Sequence, residues 1–330
     1  MDIYNPSEVK KTAVRRLRDV QQGKKVAAVY AGLTLGLSAL VVLLTLVLEL
    51  LIDQSGGLGG MGRRTVLISL QNILPVIAIP VNLCLELGYQ AAMLRAARGQ
   101  YVSPQTLRLG FDRFWVLLRC TLLKGLIFGG AAAASLYVAM MIYMMTPLSN
   151  PAVDILMPLV KNAGASGIAL DDATYARLMR ATAPAMVIFG VLFLALAAPL
   201  FYRYRMTDYL IIDRPAAGAL AALRDSRMMT KGNHWNLFRL DLSMWWYYAA
   251  VLASAAAAYG DQLLPALGVT FPLSDTAAYF VFLGVYLAVI FVIYYFLRNR
   301  VEVTYALAYD SLRPREPENN GAVLGNIFQM

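Results

Sequence analysis

The one histidine of the chain, His234, stands in RDSRMMTKGNHWNLFRLDLSMWW (Arg224–Trp246), with Asp241 and Ser243 shortly downstream. Histidine, carboxylate and hydroxyl are the parts of a nucleophilic relay, in which the imidazole takes the serine proton and the carboxylate orients the ring. Their order and spacing here match no catalytic motif, so His234 is expected to be an interfacial structural residue. A lone histidine also rules out a histidine-rich metal site or a zincin helix. The other chemical candidates are equally spare. Asp171 and Asp172 are adjacent carboxylates that suit a cation, but at the start of a short helix they have the ordinary role of complementing its dipole. Cys84 and Cys120 have no CxxC partner and read as buried thiols. The run Gly57–Gly62 follows no strand, fits no phosphate loop and reads as a flexible external turn. With no nucleophile, metal set or acid–base pair in view, the expectation is a non-enzyme that takes no cofactor or metal.

Gln71, Asn72, Asn82 and Glu86 are a different case, because they interrupt the apolar run Val66–Leu94, which also carries Pro75 and Pro80. Asn72, Pro75, Asn82 and Glu86 fall close to one helical face. Prolines free backbone carbonyls, and an ionisable group inside a bilayer is costly enough to be a functional suspect. Asn72, Asn82 and Glu86 are therefore the candidate intramembrane polar site of a transporter or lipid-moving permease. The competing reading pairs Glu86 with Arg95 or Arg119 and leaves the asparagines as interhelical hydrogen-bonding residues.

The elements that position these residues are read from composition. Of the 330 residues, 59% are apolar and 15% charged, whereas a soluble domain carries roughly 25% charged residues. Uncharged runs of about 18 residues or more are candidate membrane spans. Val26–Leu48, Gly125–Met145, Leu242–Gly260 and Thr276–Leu297 qualify directly; Val66–Leu94 and Ala181–Tyr202 complete a set of six. The expected fold is all-α and polytopic. A cytoplasmic amphipathic helix (1–25) precedes a membrane domain (26–312) with approximate spans 26–51, 66–94, 119–145, 181–202, 242–260 and 276–297, and a disordered cytoplasmic tail (313–330) follows.

Net charge of +9 would point to nucleic acid in a soluble protein. Across six spans, however, 24 of the 29 Lys and Arg residues fall on the side that holds both termini. The positive-inside rule makes that side the cytoplasm and the protein a multi-pass membrane protein with both termini cytoplasmic and no nucleic-acid partner. The first apolar run is far too long for a signal-peptide h-region and reads as a retained span.

Punctuation repeats along the chain. Pro6 to Gly23 and Pro215 to Gly232 each read as a four-turn surface helix, proline opening it and glycine closing it. Apolar positions recur at helical spacing in both: Val9, Ala13, Leu17 and Val20 in the first, Leu220, Leu223 and Met228 in the second. A clipped third version has Ser103 as N-cap, then Pro104 and Gly110, and its Trp115–Arg119 matches Trp235–Arg239 in placing an aromatic residue and an arginine where a span begins. The chain thus reads as three units, each a surface helix followed by a two-span hairpin. Trp235, Phe238, Leu242 and Trp245 share one helical face, so the stretch around His234 is expected to be a surface helix, a glycine break and the interfacial start of span five.

Ala222–Ser243 resembles the hallmark of bacterial integral membrane proteins of domain-of-unknown-function family 975, a segment of the form S-R-x-L-M-K-G-x-x-W-x-L-F before a late span. Ser226, Arg227, Met229, Lys231, Gly232, Trp235, Leu237 and Phe238 match it, with Thr230 inserted between methionine and lysine; Arg298–Leu312 resembles the family's ending. The resemblance covers essentially the whole span region. It implies a multi-span membrane protein and brings no activity or catalytic residues. The expected function is non-enzymatic binding of lipids, anionic ones above all, or of a membrane-protein partner in an envelope-related role. The candidate contacts are Arg15, Arg16 and Arg18, then Arg113 and Arg119, then Arg224, Arg227, Lys231, Trp235 and Arg239.

Overall fold

Pro6 opens the first helix, where its missing N–H costs nothing, and α1 (Pro6–Asp19) buries Val9 and Ala13 as its apolar spacing predicts. The computed structural model describes residues 5–19, 23–53, 61–162, 171–260 and 275–313. Helices follow in the order α2 (Gly23–Asp53), α3 (Met61–Ala97), a 3-10 turn (Pro104–Arg108), α4 (Leu109–Asp112), α5 (Phe114–Met145), α6 (Asn150–Asn162), α7 (Asp172–Tyr204), α8 (Thr207–Asp213), α9 (Ala219–Thr230), α10 (His234–Leu242), α11 (Trp245–Ala258), α12 (Asp275–Val292), a π-helical turn (Ile293–Arg298) and α13 (Asn299–Leu312). The described residues are all-α.

Among the described residues, five stretches are long and apolar enough to cross a membrane: Gly23–Ile52, Arg64–Ala97, Phe114–Met145, Ala173–Asp213 and Ala277–Leu312. The protein is a multi-pass membrane protein. Segment 242–260, expected to be one span, is instead broken: α10 stops at Leu242, and α11 resumes at Trp245 for 14 residues. At 1.5 Å per residue that is about 21 Å, short of a hydrocarbon core of about 30 Å.

The chain divides into two units, Met1–Arg119 with Met206–Met330, and Cys120–Arg205. In the first, the outer halves of the long helices present Leu40, Leu43, Leu50, Val66, Val76 and Ile77 to the surroundings, as lipid-facing helices do. The packed core lies at the opposite, basic end. There Cys84–Ala97 of α3 is almost wholly buried, with Val26–Ala31 of α2, Tyr209–Ile211 of α8, and Val301–Tyr309 of α13. The long helices therefore extend beyond a bilayer's thickness and fold together where they leave it.

An elbow completes this core. Ser103 caps the 3-10 turn in an extended conformation with Pro104 in the first turn, as expected. Gly110 does not close a surface helix, however; it seats the elbow on α3. A Cβ at Gly110 would lie 1.8 Å from the Cys84 carbonyl oxygen, and one at Gly88 would lie 2.3 Å from the Leu107 carbonyl oxygen.

In the second unit, α6 packs on α7, with Tyr143, Ala152 and Ala185 buried together. Tyr143 donates to the Ala181 carbonyl at 3.0 Å. Asp171 is the N-cap of α7, but the short external helix expected there is the first part of the 33-residue α7, continuous with the span. Asn150–Asn162, to which the sequence pattern assigns no element, form α6.

The expected glycine stops divide. Gly232 closes the surface helix at φ 83°, in the left-handed region that favours glycine, whereas Gly23 is the first residue of α2. Pro215 lies in the turn before α9, which begins only at Ala219. Residues 54–60, which include Gly57–Gly60, and the tail from Pro314 lie outside the described residues; Met61 and Gly62 already belong to α3.

Candidate functional site

Glu86 does not pair with Arg95 or Arg119. Its carboxylate takes both oxygens to Arg298, which enters from the π-helical turn before α13. Tyr30 donates to Glu86 Oε2 at 2.6 Å, so three helical segments meet on one carboxylate. The Arg298 guanidinium, with its residue only 9% exposed, lies over three tyrosine rings: Tyr294 at 4.6 Å, Tyr30 at 5.0 Å and Tyr89 at 5.5 Å. Tyr30 and Tyr89 stack on each other with centroids 4.3 Å apart. Tyrosine faces carry the negative part of the ring quadrupole, so the cage and the carboxylate act on the same cation. Glu302 Oε1 stands 3.8 Å from Arg298 Nε, and Tyr209 donates to Glu302 Oε2 at 3.3 Å. Arg95 is occupied elsewhere, donating to Thr106 at 3.3 Å in the elbow.

The three residues of the predicted polar site are not brought together. Asn72 is exposed, Asn82 is half-buried with its Oδ1 buried and unpartnered, and Glu86 is engaged as described. The sequence reading missed Arg298, Tyr30, Tyr89 and Tyr294. Arg298 was counted only as a cation flanking the last span, although a Tyr-Tyr pair (Tyr294, Tyr295) just before it was a visible signal.

A second charged cluster closes the basic end. Arg98 extends one guanidinium edge to Asp213, at 2.8 and 2.7 Å, and meets Asp310 at 2.6 Å. Tyr309 and Arg313 add bonds to Asp213 at 3.0 and 3.1 Å. The bonds to Asp213 and then Asp310 raise the pKa of Arg98 above its ordinary value. This cluster ties α3, α8 and α13 together.

Around His234 the parts of a relay are otherwise employed. Ser243 donates to the Leu240 carbonyl at 2.7 Å, Asp241 accepts from Tyr305, and His234 Nδ1 is buried without a hydrogen-bond partner. Both cysteines are buried, and among the described residues neither forms a disulfide. Among the described residues no group of three His, Cys, Asp or Glu side chains is placed to hold a metal.

The cationic candidates lie largely at the surface. Arg15, Arg16 and Arg18 are exposed on α1, and Arg119 is exposed on α5. Arg113 spends its guanidinium on the Pro215 carbonyl at 3.0 Å, an anchoring role within the fold. On α9 and α10 the hallmark motif sorts cleanly. Ser226, Thr230 and Leu237 are buried, while Arg224, Arg227, Lys231 and Arg239 are exposed. Of the three apolar positions at helical spacing on α9, Leu223 is buried while Leu220 and Met228 are exposed; the buried face is Ala219, Ala222, Leu223, Ser226 and Thr230. Trp235 (65% exposed) stacks on Phe238 at 5.1 Å, with Leu242 and Trp245 exposed beyond it, although the break after Leu242 divides the expected stripe between two helices.

A helical, multi-pass membrane protein whose core and charge networks sit at the basic end of its spans is the class these features define. Residues 1–316 match the family described as protein of unknown function (DUF975), and the chain belongs to that family. No curated protein and no solved structure matches it.

Proposed function

We propose that this is a non-enzymatic protein of a bacterial inner membrane that binds lipids, anionic ones above all, or a membrane-protein partner through its basic cytoplasmic face, in an envelope-related role. The carrying observation is the exposed face of α9 and α10, where Leu220, Met228, Trp235, Phe238 and Leu242 alternate with Arg224, Arg227, Lys231 and Arg239. A water-facing helix would be polar there and a lipid-core face purely apolar. A mixed basic and aromatic surface fits the headgroup layer, where arginine stems snorkel and indoles anchor.

The reading takes six spans with both termini cytoplasmic, α11 beginning the fifth, and the three helix-plus-hairpin units as its organisation. An even number of crossings keeps the basic segments on one side. The test is purification from membranes containing phosphatidylglycerol and phosphatidylethanolamine in equal amounts, followed by quantification of co-purifying lipid. Enrichment of phosphatidylglycerol that falls in an Arg224→Gln/Arg227→Gln/Lys231→Gln variant supports the reading; retention unchanged by the variant overturns this face as the binding surface.

A permease using span two is the second reading, favoured by the buried, unpartnered Asn82 Oδ1. The engagement of Glu86 by Arg298 weighs against it.

A further inference from the structure

The end of α1, the start of α2, the π-helical turn and the start of α13 line a half-open cavity of about 520 Å³. Three of its lining residues are cations, Arg18, Lys24 and Arg300, and none is a carboxylate. All three are exposed, and among the described residues none of them makes an ion pair or side-chain hydrogen bond. The two arginines enclosed at this end of the protein are neutralised: Arg298 by Glu86, and Arg98 by Asp213 and Asp310. Here three positive side chains from three segments converge with no counter-charge, and like charges held together cost free energy unless an anion joins them.

The rest of the lining decides what kind of anion. Val14, Leu17, Tyr295 and Phe296 supply apolar and aromatic wall, and Phe296 is exposed beside the lipid-facing Phe291 and Val292 of the last span. Lys24 stands one residue into α2, where a surface helix gives way to a membrane span, so the cavity lies at headgroup depth. A soluble phosphate would use the cations and leave the apolar wall wet. A phospholipid would use both, with its phosphate among the cations and its glycerol and first methylenes against Leu17 and Phe296.

We infer that this cavity is a discrete binding site for the phosphate headgroup of one anionic glycerophospholipid. The inference deepens the proposed lipid binding by separating one built site from diffuse attraction to a basic surface, and it rests on that reading.

The full-length protein in nanodiscs of phosphatidylglycerol and phosphatidylcholine, released and examined by native mass spectrometry, provides the test. The wild type is expected to hold one phosphatidylglycerol that survives activation. Arg18→Gln/Lys24→Gln/Arg300→Gln is expected to bind it roughly tenfold more weakly or worse, as the loss of three cations at a membrane surface implies. Lys11→Gln/Lys25→Gln/Arg108→Gln removes the same charge from exposed positions outside the cavity and outside the α9–α10 face, and is expected to retain it. Equal loss in the two variants overturns the site while leaving a diffuse basic surface intact. No preference for phosphatidylglycerol in the wild type overturns the site and the broader lipid reading together. Inorganic phosphate is expected not to displace the lipid; displacement at millimolar concentration overturns the lipid assignment in favour of a soluble phosphate. If the triple variant does not fold, Arg300→Gln alone is expected to show a smaller loss in the same assay, and unchanged retention there overturns the site.

Discussion

Arg298 reaches Glu86 across 212 positions of sequence, and the bond pins the last long helix to α3 at the point where both leave the lipid-facing region. It is a buried pair inside a tyrosine cage, with Tyr30 of α2 as its third member. Removing one partner of such a pair leaves an uncompensated charge, at a cost of about 3–5 kcal/mol, whereas an apolar replacement of both can be neutral. Arg298→Met is therefore expected to lower thermal stability in detergent strongly, and Glu86→Met less, because the cage and Glu302 still face the arginine. The double variant is expected to be more stable than Arg298→Met alone. Additive losses in that thermodynamic cycle would show the pair to be uncoupled.

Arg98 is expected not to tolerate lysine. Its fork serves Asp213 and Asp310 at once, and a lysine has no planar pair of donors to offer them. Loss of charge-assisted bonds here is expected to cost about 1.5–3 kcal/mol. The pH behaviour follows from the raised Arg98 pKa: its contribution is complete below the ordinary arginine value, itself far above neutral pH, and is lost only above the still higher folded one. Unfolding monitored from neutral pH to about pH 10 is thus expected to show no loss attributable to this group. A difference between wild type and Arg98→Lys that vanishes within that window would refute the assignment.

The elbow after α3 is expected to be intolerant of the smallest substitution. Gly88→Ala and Gly110→Ala each drive a methyl into backbone carbonyl rather than into a side chain that can turn away. Overpacking typically costs about 1–3 kcal/mol, and rigid backbone on both sides places these two at or above the upper end. Gly125→Ala, where a Cβ meets nothing within 4 Å, is the matched control. Folded yield by size-exclusion chromatography separates them, and equal yields for all three would refute the notch.

Topology is open to a direct labelling experiment. In a variant lacking Cys84 and Cys120, cysteines placed at Gly57, Ser166 and Gly268 are expected to react with an impermeant thiol reagent in intact cells, and cysteines at Ser7, Gln100 and Asn320 are not. Gly268 carries the most information, because its labelling requires the segment beginning with α11 to complete a crossing. Protection at Gly268 would remove the fifth span, and labelling at Ser7 or Asn320 would reverse the orientation.

Much of the architecture was legible because apolar run length is a local property. Val26–Leu48 and Thr276–Leu297 each lie inside a helix or a pair of stacked helices as expected. Gly232 was legible for the same reason: a glycine after a periodic segment is a local stop signal, and it has the positive φ that role demands. What local pattern could not supply was partner choice. The apolar run Val66–Leu94 reads as one span, although its first part, Val66–Val76, is largely exposed and its last part, Cys84–Leu94, is largely buried in protein. The identity of the partner of Glu86 was hidden likewise, since the sequence offers Arg95 close by while the fold delivers Arg298 from the far end of the chain. The break at Ser243–Met244 escaped because no proline or glycine marks it.

The π-helical turn at Ile293–Arg298 works as a phase shifter between two lengths of one helix. Each residue added to or removed from an α-helix rotates everything beyond it by roughly 100°, and the wider turn takes up an extra residue without ending the rod. Upstream, α12 can keep the register that suits lipid; downstream, α13 can keep the one that turns Val301, Val303, Tyr305 and Tyr309 into the core. Arg298 and Arg300, two positions apart, thereby end in opposite settings, one enclosed and one open. The register of the final helix is consequently a shared quantity: shortening the turn by one residue would swing the buried pair, the elbow's neighbour and the open cavity out of alignment in a single step.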